Sequence, residues 1–221
     1  MRVNYKKPFL NYFFGFIILI SAGACQDELL GEEKIYSNNF NQLDLRNFNN
    51  SRLFVFENDT IMGFYHNEEV WVKLYDIPPH SALKITIEVL AHDSWDGNLD
   101  DGVSGPDYWY FKLDDEEVYR TTFSNSVCVS TYCLRQSYPE QFFKQNFPKE
   151  GAVQTNLPGL CSTAGVPNNT TRYSITKTFR HFQDSVKITM GDELMQTNAF
   201  SPLCDESWSV SKIEVSAMTV R

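Results

Sequence analysis

The chain has few of the residues on which enzyme chemistry rests, and none of the familiar arrangements of them. Its four histidines, His66, His80, His92 and His181, stand far apart. No G-x-S-x-G, H-E-x-x-H or G-x-x-x-x-G-K-[ST] occurs, which removes the nucleophile elbow, the zinc helix and the phosphate loop from consideration. His92 beside Asp93 is the one sequence-adjacent acid–base pair, and a hydrogen-bonded structural histidine is its simpler reading. Positive charge is also scarce, with 19 Lys and Arg against 28 Asp and Glu. That balance excludes nucleic acid, whose phosphates demand clustered cations. No internal repeat, heptad or sustained helical period appears. The longest apolar run, residues 9–20, is interrupted by Asn11 and is too short to cross about 30 Å of hydrocarbon comfortably.

What that run does is set by its flanks. Arg2, Lys6 and Lys7 precede it, and Ser21, Ala22, Gly23 and Ala24 lead directly into Cys25. Basic, apolar and small parts in this order read as a secretory signal. Ala22-Gly23-Ala24-Cys25 resembles the bacterial lipobox, with Ala where Leu is commonest three residues before the Cys. The resemblance implies cleavage after residue 24 and lipidation of Cys25. An ordinary signal peptide beside a free cysteine is the rival reading. Cysteine number favours the first: five is odd for an exported chain, and setting Cys25 aside leaves Cys128, Cys133, Cys161 and Cys204 to pair. Two or three acyl chains anchor stably where one does not. Residues 25–34 then read as an acidic tether. Its acids resemble the stretch behind the Cys in surface-exported lipoproteins of Bacteroidetes-like bacteria, although a plain solvated linker looks the same. The expected address is the bacterial cell envelope, lipid-anchored in the outer membrane, with the surface or periplasmic face left open.

Without the signal, 197 residues remain, and removing its +3 takes the net charge from −9 to −12. Aromatic residues are plentiful (17 Phe, 11 Tyr, 4 Trp) and suit strands. Alternation with period two dominates. Val70, Val72 and Leu74 share one face, as do Leu83, Ile85, Ile87 and Val89. Trp109, Phe111 and Leu113 alternate up to Asp114-Asp115, a hairpin turn, with residues 118–123 as the return strand. Tyr173 to Phe179, Val186 to Met190 and Ile213 to Ala217 repeat the pattern. Residues 139–146 are the one short helix expected. The whole predicts an all-β, jelly-roll-like antiparallel β-sandwich over residues 35–221.

Two loops carry the remaining information. The connection 124–169 is long for a compact domain, which points to function or a local staple. Three disulfide pairings are open; spacing favours a small Cys128–Cys133 loop with Cys161 joined to Cys204. A zinc site is disfavoured by the C-x4-C spacing and the lack of a nearby His. The second loop, residues 92–107, holds five Asp and one Asn among three Gly. Such oxygen-rich, glycine-bent loops suit Ca²⁺, which takes 6–8 oxygen ligands. The candidate metal ligands are Asp96, Asn98, Asp100, Asp101 and Asp107. A solvated acidic loop with Asp side chains capping turns is the alternative.

A resemblance spans about 140 residues. Ile77-Pro78-Pro79-His80, Asp93-Ser94-Trp95-Asp96-Gly97-Asn98, Gly105-Pro106-Asp107-Tyr108-Trp109, Thr122-Phe123-Ser124-Asn125, Gln136-Ser137-Tyr138-Pro139 and Asp205-Glu206-Ser207-Trp208 follow in one order. Together they resemble an extracellular β-sandwich module of bacterial secreted and surface proteins, similar in style to polycystin-like ectodomain segments. The resemblance implies attachment or binding, not catalysis. Related modules continue the last Trp into Gly-hydrophobic-Asp-Asn, where the Asp can serve a structural calcium; Ser209-Val210-Ser211-Lys212 stands here instead. Asp205 and Glu206 then read as turn caps or as one distant ligand. Of the four tryptophans, Trp95 in the acidic loop is the candidate exposed platform for a sugar ring. Asp59-Thr60-Ile61 and Asp184-Ser185-Val186 resemble the O-glycosylation triplets of Bacteroidetes-like bacteria, a short pattern that chance also supplies. The function expected is a calcium-assisted binding module for a glycan or surface protein. A carbohydrate-active hydrolase or lyase and a structural subunit of a surface complex are the alternatives.

Overall fold

Alternating residues become strands throughout the chain's second half. The computed structural model describes residues 29–220, so Cys25 and the expected signal lie outside the described residues. The first strands are β1 (Leu29–Asn38), β2 (Phe48–Asn49), β3 (Leu53–Phe56), β4 (Asp59–Tyr65), β5 (Val70–Leu74) and β6 (Ala82–Asp93). They are followed by β7 (Tyr108–Leu113), β8 (Glu116–Thr122), β9 (Gln154–Leu157), β10 (Thr170–Arg180), β11 (Val186–Glu193) and β12 (Glu206–Val220). Two antiparallel sheets result. One runs β3-β4-β12-β6-β10-β9, with β1 also paired to β12; the other runs β2-β5-β11-β7-β8. The chain is an all-β, jelly-roll-like sandwich.

Its core is the sum of the predicted apolar faces. Leu83, Ile85, Ile87 and Val89 point inward from β6 and are essentially inaccessible, as are Val72, Trp109, Phe111, Ile188 and Met190 from the facing sheet. β6 is the centre of the larger sheet, with Ile87 opposite Ile213 on one side and Ile175 on the other. Each such side chain gains about 1.5–3 kcal/mol on burial, which is what fixes the register: a slip by one residue would turn the apolar set to water.

Two expectations are corrected. Residues 29–34 are not tether, because β1 pairs with β12 from Leu29 onward. Residues 139–146 form no helix. They run along β8 instead, where Tyr138 N donates to Thr122 O (3.2 Å) and Phe142 N to Arg120 O (2.9 Å). An open strand edge supplies backbone partners that a one-turn helix would leave unmet.

The long connection is held by buried side-chain amides. The Oε1 of Gln136 accepts from Ser124 N, Lys149 N and Tyr173 Oη, and its Nε2 donates to Tyr138 O and Glu150 O. Asn125 donates to Ala91 O and Asp93 O and accepts from Thr171 Oγ1. Cys128 bonds Cys133, and Cys161 bonds Cys204, the pairing that spacing favoured.

The sandwich has two distinct poles. At one, Asp93 stands opposite Glu206; at the other, Ala82 stands opposite Met218, and Leu29 opposite Val220. The described chain therefore starts at the pole away from the acidic loop. Twelve strand residues at about 3.3 Å each separate the two by roughly 35–40 Å.

Candidate functional site

The acidic pole is built by backbone pinning. Ser94 N and Oγ both donate to Asp205 O (2.8 and 3.0 Å), and Trp95 Nε1 donates to Ser207 O (2.8 Å). These bonds clamp residues 94–96 against the start of β12. They also correct the reading of Trp95: it is fully buried, packed on Phe123, and offers no face to a ligand. Asp96 N donates to Asp107 Oδ2, which brings the two ends of the acidic loop together. Asp107 and Glu206 are both fully buried. Gln196 Nε2 donates to Glu206 Oε1 (3.0 Å).

Three oxygens at this pole are buried without a hydrogen-bond partner: Asp107 Oδ1, Glu206 Oε2 and Gln196 Oε1. Burial raises the Glu206 carboxyl far above its ordinary range, and Asp107, Asp96 and Asp205 raise it further. Burial likewise raises Asp107, with Asp96 opposing its ionisation. Asp96 is pushed up to about 6 by burial, then by Asp205 and Asp101. Burial and mutual repulsion thus raise three carboxyls at one pole.

The other predicted metal ligands are not brought to this point. Asn98 is consumed within the loop framework: its Oδ1 accepts from Thr122 Oγ1 (2.6 Å) and Ser137 Oγ (2.9 Å), and its Nδ2 donates to Lys144 O. Asp101 is exposed and caps a turn, its Oδ1 accepting from Val103 N and Ser104 N. Asp100 is exposed. The sequence left Glu206 as a turn cap or a distant ligand; its side chain is buried at the pole, where Gln196 donates to it. Gln196 gave no signal at all. Among the described residues, no three His, Cys, Asp or Glu side chains are gathered at ligating geometry.

The neighbouring residues His92 and Asp93 make separate hydrogen bonds within the framework. His92 is buried between Thr170 Oγ1 (2.9 Å) and Ser209 Oγ (2.6 Å), and burial lowers its pKa to about 3. Asp93, raised by burial to about 6, accepts from Leu160 N and Thr163 Oγ1. Those bonds hold the turn that carries Cys161.

A second feature lies on the outer face of the five-stranded sheet. Trp71 and Tyr108 are half-buried there, and Tyr75 is 55% exposed. Tyr110 lies flat over Gly191 on the adjacent strand, where a Cβ would stand 2.7 Å from its ring. Cations sit over these rings. The Arg120 guanidinium is 5.0 Å from the Tyr108 ring and 4.9 Å from Tyr110, Lys187 is 5.4 Å from Trp71, and Lys73 is 5.2 Å from Tyr75. Arg120 is in turn gripped by Glu117 and Glu193. The centre of the opposite outer face carries Lys84, Thr86, Thr176, Glu214 and Ser216. Trp71 is the one tryptophan of the four that reaches solvent; Trp95, Trp109 and Trp208 are all core.

A cleft of about 680 Å³ lies beside β1 near the opposite pole, lined in part by Tyr36, Asp44, Arg46, Tyr75 and Asp76. Its Asp44 is locked to Arg46 (2.7 Å), whose hydrogen bonds pull the carboxyl down to about 2.

No family model matches the chain, and no curated protein matches it in sequence. Three solved structures are similar in fold. A family 35 carbohydrate binding module from Clostridium thermocellum is 11% identical over 76% of this chain and 88% of its own, with a TM-score of 0.34. A carbohydrate binding module of Cellvibrio mixtus lichenase 5A, in complex with cellotriose, is 9% identical over 85% and 97%, with a TM-score of 0.36. The C-terminal module of the laminarinase LamC from Zobellia galactanivorans is 10% identical over 84% and 97%, with a TM-score of 0.33. Likeness at this level decides nothing about ligand or site.

Proposed function

We propose that the protein is a lipid-anchored binding module of the bacterial cell envelope that holds a glycan on the outer face of its five-stranded sheet. The observation that carries this reading is the asymmetry of the two outer faces. One displays Trp71, Tyr75 and Tyr108 around the buried ring of Tyr110, while the centre of the other is Thr, Ser, Lys and Glu. Aromatic faces give sugar rings a flat apolar platform with a polar rim. Arg120, Glu117 and Glu193 supply donors and acceptors at the ring edges, and their mutual ion pairs hold them in place before a ligand arrives. Preorganisation of this kind lowers the ordering cost of binding.

Lipidation of Cys25 complements this arrangement. β1 begins four residues later at Leu29, at the pole opposite the acidic loop. An anchor there would leave the sheet faces standing along the side of the module and the acidic pole turned outward.

The test is a glycan array probed with the full chain in detergent, comparing wild type with Trp71→Ala and Tyr108→Ala. The expected result is one glycan class bound, with at least tenfold weaker binding by each variant and little change in melting. Equal binding by wild type and both variants, or no glycan bound by wild type, would overturn the reading.

A further inference from the structure

The outer face of the five-stranded sheet also bears on the length of its ligand, an inference that rests on the glycan reading above. Strand pairing fixes where its rings stand. Tyr108 on β7 is level with Glu193 of β11, and Tyr110 with Gly191. Trp71 on β5 is level with Thr189. Tyr75 is one residue past Leu74, whose partner is Val186, so it stands level with Ser185. The rings therefore step from β7 across to β5 while moving one way along the strands, and they trace a diagonal. Eight positions separate the levels of Tyr108 and Tyr75, and two strand spacings separate β7 from β5. At about 3.3 Å per residue and about 4.8 Å per strand, the line is roughly 28 Å long.

Both ends continue. Phe142 meets the Tyr108 ring edge-on with centroids 4.9 Å apart, and Phe143 stands 5.1 Å from Phe142. These two belong to the connection that runs along β8, and both are exposed. At the other end, Tyr75 also lines the cleft beside β1.

The middle of the line is low. The β11 residues it crosses, Thr189 and Gly191, are small and buried, and Tyr110 lies flat over Gly191. Polar groups stand beside the rings. Lys73 and Lys187 are directly opposite one another between the levels of Trp71 and Tyr75, a placement of like charges that costs stability in a sheet. Their amines end beside Tyr75 and Trp71, where they can donate to the hydroxyls of a sugar on either ring. Arg120 stands in the same relation to Tyr108 and Tyr110.

A site for a chain end needs walls that close around one sugar and reject a further one. This face is an open sheet surface that offers platforms in a row, with donors along the edges. We propose that it binds the interior of a linear polysaccharide, several sugar units at once, laid along the diagonal from Phe142 to Tyr75. Each ring gives one more sugar an apolar platform. The sheet holds the rings at fixed spacing, so they need no ordering as the chain settles. Trp71, in the middle of the line, touches every bound oligosaccharide, whereas Tyr75 and Phe142 are reached only by long ones.

The test is titration calorimetry on the full chain in detergent. The probes are oligosaccharides of two to eight units cut from whichever of β-1,4-glucan, β-1,3-glucan, xylan and polygalacturonate binds most strongly. Affinity should rise at least tenfold from disaccharide to hexasaccharide and then level off. Reducing the terminal sugar to its alditol should leave hexasaccharide binding unchanged. Tyr75→Ala and Phe142→Ala, both at exposed rings, should weaken the hexasaccharide at least fivefold and leave the disaccharide within twofold, with melting unchanged. Trp71→Ala should weaken both. A disaccharide that binds as tightly as the octasaccharide would overturn the proposal, as would loss of binding on terminal reduction. Either result, with Trp71→Ala still damaging, would leave the glycan reading standing. Binding at every length that ignores Trp71→Ala would overturn both.

Discussion

Glu206 shows how far a single side chain can govern the pole. Its folded pKa is raised by burial and by Asp107, Asp96 and Asp205, so the folded chain holds protons that the unfolded chain has released. Stability is then fully present below the ordinary carboxyl range and falls as pH rises through the raised values. Asp96 and Asp93, each near 6, contribute the lower part of that fall. His92 acts in the opposite sense: its pKa of about 3 makes stability fall as pH drops below its ordinary 6.5. Above about 6.5 His92 is neutral in both states, so that window isolates the acids. In chelator, melting temperature should fall between pH 6.5 and 8.5, and Glu206→Gln should flatten the decline. A profile that rises with pH in this window would contradict the burial account. A second prediction concerns Cys25, read from sequence alone. Cys25→Ser should abolish labelling by radioactive palmitate and leave uncleaved precursor; unchanged labelling would contradict lipidation. Residue roles were only partly legible in sequence. Asp96 and Asp107 stood out because their loop is rich in acids. Glu206 was visible in Asp205-Glu206-Ser207-Trp208, but its direction depends on β12 beginning at that residue. Trp95 looked loop-exposed, because nothing local reveals that its Nε1 reaches Ser207, 112 positions away.

Strands were legible where one face meets the core and the other meets water. β5 alternates in burial along its whole length, and β7, β10 and β11 lie where the alternation of their apolar residues put them, although each also has neighbouring residues buried in a row. The strand β4 escaped notice because Ile61, Met62 and Gly63 are all buried, so its burial does not alternate. β1 escaped for the opposite reason: most of it is exposed, and its place depends on an open stretch of β12. The disulfides differ in what they hold. Cys161–Cys204 closes 43 residues and ties the turn under Asp93 to the start of β12, while Cys128–Cys133 closes only five. The chain-entropy account gives about 4 kcal/mol for the larger loop and about 2 kcal/mol for the smaller. Denaturant unfolding should therefore show Cys161→Ser with Cys204→Ser losing distinctly more stability than Cys128→Ser with Cys133→Ser. Equal losses would mean that the 124–169 connection is ordered by Gln136 and Asn125 alone.

The whole molecule has four different surfaces. One pole receives the chain from the side of Cys25, and the other gathers buried acids. One sheet face is a polar lattice of Thr, Ser, Lys and Glu; the other is aromatic and roofed by cations. The sequence foretold a sandwich because period-two patterning is a local property. It did not foretell which outer face is aromatic, since Trp71 and Tyr108 belong to strands separated by β11 and meet only in the folded sheet. The central claim is that this aromatic face is where a glycan rests. Backbone and indole NMR shift mapping with the strongest glycan from the array tests it most directly. Shifts concentrated on Trp71, Thr189, Gly191, Tyr108, Tyr110 and Arg120 are the predicted result. Shifts confined to Lys84, Thr86 and Thr176 on the opposite face, or to the cleft beside Tyr36 and Arg46, would contradict it.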